Sequence, residues 1–207
     1  PFYNFTIQPK LYYDFSENLK LIVSNRFYNM KMDNVAVIDS ETYKGDAKEN
    51  EWNSQIKLEQ KWSEKLYSEY ELYATNYKND SFLNDQNNVL YEKAYYDQWL
   101  LRPEIRTTLS LKNDKLTGGF GLNYETLDRT YFDKNVVFNS KYIYLQYDCN
   151  PTERWNILAG VRYDSHSEYA SQLSPKLAVN FKINENLSLK SSVGYGYKAP
   201  DFRQLFF

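Results

Sequence analysis

The stretch "SPKLAVNFKINENLSLKSSVGYGYKAP" (174–200) alternates apolar and polar residues almost without a break. Leu177, Val179, Phe181 and Ile183 share one parity, while Lys176, Asn180 and Lys182 take the other. Beyond a polar turn, Leu187, Leu189, Val193, Tyr195 and Tyr197 repeat the pattern. A period of two is the signature of strands with one apolar face. Such a face has to be covered, either by a protein core or by lipid.

The same parity runs through the rest of the chain. Tyr3, Phe5, Ile7, Leu11, Tyr13 and Phe15 alternate with Asn4, Thr6, Gln8, Lys10, Tyr12 and Asp14. Trp52, Ile56, Leu58 and Trp62 oppose Asn53, Gln55, Lys57, Glu59 and Lys61. Trp99, Leu101, Ile105, Leu109 and Leu111 oppose Arg102, Glu104, Arg106, Thr108 and Lys112. In "WNILAGVRYD", Ile157, Ala159, Val161 and Tyr163 face away from Asn156, Gly160, Arg162 and Asp164. The spacing predicts about ten strands of about ten or more residues, the length a tilted strand needs to cross a bilayer. Globular strands average about five or six. The apolar parity is nearly free of charge, and the four tryptophans, Trp52, Trp62, Trp99 and Trp155, are expected at or near strand ends, as an interfacial girdle requires.

Mean hydropathy is −0.73, and no apolar run is long enough for a membrane helix. A barrel reads as hydrophilic all the same, because every second residue faces a wet lumen. Aromatic residues make up 18% of the chain, with 21 tyrosines, which suits membrane–water interfaces and also suits a tyrosine-rich soluble β-protein. A net charge of −2 argues against a nucleic-acid partner. The single cysteine, Cys149, excludes an internal disulfide and a cysteine metal cage.

Polar turns punctuate the pattern: "FSENL" (15–19), "WSEKL" (62–66), "KNDKL" (112–116), "DCNPTERW" (148–155) and "INENL" (183–187). Longer polar stretches, 31–50, 78–93, 128–139 and 165–173, take turns with them and are expected to be loops gathered at one end of the sheet. The fold expected is all-β: an antiparallel up-and-down transmembrane β-barrel, partial, with about ten long strands of a larger barrel. By the general rule for outer-membrane barrels, short turns lie on the periplasmic side and long loops outside.

The last third of the chain resembles the mid-barrel region of TonB-dependent outer-membrane receptors. The resemblance rests on Tyr144-Leu145-Gln146, a polar turn before Trp155, Gly160-Val161-Arg162-Tyr163-Asp164, Ser174-Pro175-Lys176-Leu177, and Gly194-Tyr195-Gly196-Tyr197-Lys198-Ala199-Pro200 leading into Phe202-Arg203-Gln204-Leu205. It implies a receptor in the outer membrane of a Gram-negative bacterium that imports an iron–siderophore complex, haem or cobalamin. Energy would come from TonB acting on a plug domain. No plug or TonB box is recognisable, so residues 1–207 are expected to form part of one barrel domain, with outer-membrane lipid as the other partner.

Candidate ligand-binding residues follow from parity. Arg26, Arg102, Arg106, Arg162 and Lys198 share the lumen side, the first two and Lys198 towards the loop end and the others deeper. Guanidinium groups there draw anionic cargo such as siderophore complexes or haem propionates. The alternative is pairing with Glu104, Asp164, Glu59 and Glu125. Tyr43, with Tyr91, Tyr95 and Tyr96, is placed to stack on a ligand or to mark the interface belt. Tyr197 opens an aromatic-basic-Ala-Pro box similar to that of haem receptors in this family. His166, the one histidine, is a ligand for iron or an ordinary exposed loop residue. The cluster "NDSFLNDQNN" (79–88) offers oxygens of the kind calcium takes, without EF-hand spacing. No nucleophile elbow, zincin motif or P-loop occurs, so neither catalytic residues, nor a bound metal, nor a cofactor is expected. The rival reading is a soluble aromatic-rich carbohydrate-binding β-protein or an outer-membrane barrel enzyme.

Overall fold

Strand pairing follows chain order. The structure, a computed structural model, describes residues 1–196 together with Phe202 and Gln204. The strands are β1 (Phe2–Ile7), β2 (Lys10–Ser16), β3 (Leu19–Ile38), β4 (Glu41–Lys61), β5 (Leu66–Asn84), β6 (Leu90–Ser110), β7 (Lys115–Arg129), β8 (Val136–Thr152), β9 (Trp155–His166), β10 (Gln172–Asn184) and β11 (Leu187–Gly194). β1 and β2 both pair antiparallel with β3, and from β3 onward each strand pairs antiparallel with the next, in one sheet ordered β1-β3-β4-β5-β6-β7-β8-β9-β10-β11. β1 and β2 are one strand interrupted at Pro9, which has no N–H to give the ladder. Its carbonyl still accepts from the Asn25 N–H at 3.0 Å. The ten long strands expected from the pattern are therefore present, as an unclosed up-and-down barrel wall.

Register aligns the two faces across the sheet. Leu21, Leu58, Tyr70, Ile105, Phe120, Ile143, Tyr163 and Leu173 form one cross-strand row. One residue along each strand, the next row reads Lys20, Glu59, Glu69, Arg106, Gly119, Tyr144, Arg162 and Ser174. A slip of one residue in any strand would carry charge into the apolar row, so the register is strongly specified. The first row faces lipid and the second faces the lumen. Ser68 and Thr107 interrupt the lipid face, but their hydroxyls pair at 2.9 Å and the Trp62 indole N–H donates to Ser68 at 3.2 Å. Both hydroxyls are therefore hydrogen-bonded.

The tryptophans bound this apolar band, Trp62 and Trp155 at strand ends as the pattern suggested and the other two not. Trp52 and Trp99 lie in mid-strand and meet edge-to-face at 5.9 Å across β5. Trp62 directly follows β4, and Trp155 opens β9 packed on Phe181 at 4.4 Å. From Trp52 to Trp62 the strand advances about ten residues, or about 24 Å of height at a tilt of ~45°, the thickness of an outer-membrane apolar band.

Above Trp52 the strands continue where loops were expected. β3 and β4 pair as far as Ile38 and Glu41, leaving Asp39 and Ser40 as the turn of the stretch 31–50. β5 and β6 extend similarly into 78–93. Periodicity is lost there because both faces meet water, so no apolar parity is required. Cross-strand polar pairs replace it: Asn29 donates to Asn50 at 2.7 Å, Lys31 meets Asp46 at 2.8 Å and Lys78 meets Asp97 at 2.9 Å.

Candidate functional site

The lumen face carries a connected polar wall built by cross-strand neighbours. Glu69 on β5 sits between Lys57 on β4, at 3.4 Å, and Arg106 on β6, at 2.6 Å, and Lys57 also meets Glu59 at 2.6 Å. Nearer the long-strand end, Arg26 meets Glu51 at 2.7 Å and Asn53 donates to the same carboxylate at 2.6 Å. The Tyr73 hydroxyl donates to Asn53 at 2.7 Å, and the Arg102 guanidinium lies over the Tyr73 ring at 5.0 Å. Arg26 and Arg102 thus end one continuous chain of polar contacts.

A second group centres on Glu104. It accepts hydroxyls from Tyr142 at 2.5 Å and Tyr144 at 2.9 Å. The Tyr142 ring lies over Gly121 and the Tyr144 ring over Gly119, where any Cβ would strike the rings. Glycine at these inward positions is what lets two aromatic rings lie flat on the wall. Arg162 stacks on Tyr142 at 3.9 Å and grips Asp164, two residues along its own strand, with Nε and Nη2 at 2.8–3.0 Å.

Each of the four arginines singled out from the sequence therefore has a carboxylate. Only Asp164 is among the partners expected; Glu51, Glu71 and Glu69 take the places of Glu104, Glu59 and Glu125. The reason is register: an arginine bonds the acid directly opposite or diagonal on the next strand, which spacing along one strand does not reveal. The four are held unequally. Arg106 and Arg162 make short, multiple bonds, whereas Arg102 reaches Glu71 only at 3.4 Å and its Nε is buried without a hydrogen-bond partner. Arg102 is the guanidinium with the longest carboxylate contact of the four.

Other candidates are dispersed. Tyr43 is nearly buried near the tip of the β3–β4 hairpin, stacked on Tyr91 at 4.0 Å and donating to Glu41 at 3.2 Å. His166 ends β9 instead of lying in an open loop, flanked by Phe138 at 5.3 Å and Tyr169 at 4.7 Å. Its Nδ1 accepts the Glu168 N–H at 3.1 Å, and burial pushes its pKa down. Phe138 in turn stacks on Phe202 at 4.5 Å, above fully buried Leu127. In the stretch 79–88, the Asp85 carboxylate accepts the N–H groups of Asn87 and Val89, which makes it a turn. Among the described residues no cluster of His, Cys, Asp and Glu is arranged to hold a metal. Tyr197 and Lys198 lie outside the described residues.

The family model described as "TonB dependent receptor-like, beta-barrel" matches residues 3–207. The chain belongs to the TonB-dependent receptor family. Among the relatives of this receptor barrel is the "Probable TonB-dependent siderophore receptor PirA" of Acinetobacter baumannii, 29% identical over 91 residues, or 44% of this chain and 12% of that protein. The ferrienterobactin receptor of Escherichia coli is 27% identical over 88 residues, 42% of this chain and 11% of that one. The solved structure of the FrpB iron transporter from Neisseria meningitidis, in its apoprotein form, superposes with a TM-score of 0.78 at 14% identity. That match covers 96% of this chain and 36% of the other, so the chain spans about a third of that receptor's length.

Four residues of this wall were not singled out from the sequence: Tyr73, Glu104 as an acceptor for tyrosines, Tyr142 and Tyr144. A signal was available in Gly118-Gly119-Phe120-Gly121, since inward glycines in a transmembrane strand mark a neighbour that comes close.

Proposed function

We propose that the receptor containing this barrel wall takes up an anionic iron–siderophore complex across the outer membrane. The observation that carries the reading is the Tyr73–Arg102 pair on the lumen face. A partly exposed guanidinium, held by its carboxylate only at 3.4 Å, stands there over an aromatic ring, a combination suited to an aromatic, negatively charged chelate. The two aligned relatives support it, one named a probable siderophore receptor and the other a ferrienterobactin receptor. In this reading the short turns face the periplasm, and the extended β3–β4 and β5–β6 hairpins stand outside the cell. Cargo descends from the hairpins, and TonB supplies the energy through a plug in the lumen. Haem ranks lower, because Nδ1 of His166 is engaged and its ring is packed between aromatic neighbours. Cobalamin has no particular contact in its favour.

The test is binding and energy-dependent uptake of radiolabelled ferric catecholate, haem and cobalamin by outer-membrane vesicles and cells carrying the complete receptor. Ferric catecholate is expected to bind best. Arg102→Ala should weaken it about ten-fold or more, as expected for losing a charge-assisted hydrogen bond. Preferential binding of haem or cobalamin, or unchanged affinity in Arg102→Ala, would overturn the reading.

A further inference from the structure

The lipid-facing side of the wall is not evenly filled. Register sets Ser68, Thr107 and Gly118 side by side on β5, β6 and β7. Taller rows flank them, Tyr70, Ile105 and Phe120 on one side and Leu66, Leu109 and Leu116 on the other. The dip opens into a hollow of about 730 Å³ lined by residues of β6 to β10, Gly118 among them. A second hollow of about 370 Å³, against Leu72, Pro103 and Leu122, shares Ile105 and Phe120 with the first. Together they make one apolar groove along the β6–β7 seam. β6 and β7 have both neighbours in the sheet, so the groove does not arise at an open edge.

Its depth fits one acyl chain. Leu109 and Pro103 are about 20 Å apart along the strand, or about 14 Å in depth at a tilt of ~45°, against the ~15 Å of hydrocarbon in one leaflet. The groove therefore runs from the short-turn end to mid-bilayer. The Thr107 hydroxyl in its floor is already bonded to Ser68 at 2.9 Å, so an alkyl chain laid over it deprives it of no partner.

The end of the groove at Leu109 and Leu116 meets positive charge. Lys65, in the β4–β5 turn, and Lys112, in the β6–β7 turn, are brought together because the Ser110 N–H donates to the Lys65 carbonyl at 2.7 Å. Both lysines are exposed, and neither forms an ion pair among the described residues. The acids of the same two turns are engaged: Glu64 meets Lys61 at 2.9 Å, and Asp114 accepts from Tyr147 and Asn150. An alkyl chain one leaflet deep, joined to an anionic head at the membrane surface, matches both ends of the groove. Anionic phospholipids have that form.

We propose that this groove holds an anionic phospholipid of the leaflet on the short-turn side. One acyl chain lies over Gly118 and along Ile105 and Phe120, and the phosphate sits on Lys65 and Lys112. The site is independent of the cargo that the receptor carries.

Photolabelling of the complete receptor in phosphatidylcholine vesicles tests it. The probe is phosphatidylglycerol with a diazirine midway along one acyl chain, added as a minor component, and labelled peptides are identified by mass spectrometry. Labelling is expected to concentrate at Ile105, Thr107 and Phe120, well above Leu21 and Val23 on the same face of β3. A surface lysine strengthens anionic-lipid binding about five-fold, so K65Q/K112Q should lower the yield by about that factor per lysine. It should then match the yield from a phosphatidylcholine probe. Gly118→Leu fills the hollow, and a Cβ there makes ordinary contact with Leu145 Cδ1 at 3.5 Å and the Tyr144 carbonyl at 3.7 Å. It is expected to abolish the concentration of label with both probes. Labelling spread evenly around the barrel would overturn the proposal. So would equal yields from the two probes in the unaltered receptor, a yield unchanged in K65Q/K112Q, or labelling that survives Gly118→Leu.

Discussion

At the scale of the residue, parity showed which side chains face the lumen, but not whom they meet. Arg106 was legible as an inward cation; its bond to Glu69, on a strand reached only after a turn, was not. The same holds at the short-turn end, where Asp114 lies in the β6–β7 turn. Its carboxylate accepts the Tyr147 hydroxyl at 2.5 Å and the Asn150 N–H at 2.9 Å, and these bonds hold its pKa below the usual carboxylate range. The folded value lies below the unfolded one, so the stabilisation is complete above about pH 4 and is lost as pH falls through the folded value. Acid unfolding of the barrel in detergent should show this. Asp114→Asn is expected to be less stable at neutral pH and to lack that part of the acid-side decline. Parallel curves for the two proteins would remove Asp114 from the account.

At the scale of the element, the β3–β4 hairpin is where sequence and structure differ most. The polar run 31–50 reads as a loop because its alternation fails, yet nearly all of it is paired strand. The chain reverses at Asp39 and Ser40, with φ of 49° and 69°, the left-handed geometry that two-residue hairpin turns use. That geometry costs a non-glycine residue roughly 1 kcal/mol. Ser40→Gly is therefore expected to stabilise the hairpin tip by about 0.5–1 kcal/mol, up to about a five-fold slowing of amide exchange at Val37 and Thr42. Exchange that is unchanged or faster would mean that the turn is set by contacts other than its backbone.

At the scale of the whole molecule, two rows one residue apart define the protein: one apolar for lipid, one charged for the lumen. Ile105 lies in the first and Ser174 in the second. Ile105→Lys is expected to cost about 2–4 kcal/mol near the middle of the band. Ser174→Lys, in the lumen row, should cost much less. Urea unfolding of the complete receptor in lipid vesicles measures both. Equal costs would mean that the two faces do not meet different solvents.

The sequence by itself determined which residues share a face, how many long strands there are and where the short turns fall. These are consequences of a period of two and of local turn chemistry, both readable along one strand. Tertiary structure alone decided that Glu69 and not Glu104 holds Arg106, and that two tyrosines lie over Gly119 and Gly121. Those outcomes depend on cross-strand register, which pairs residues far apart in the chain and is settled only when the whole sheet is assembled.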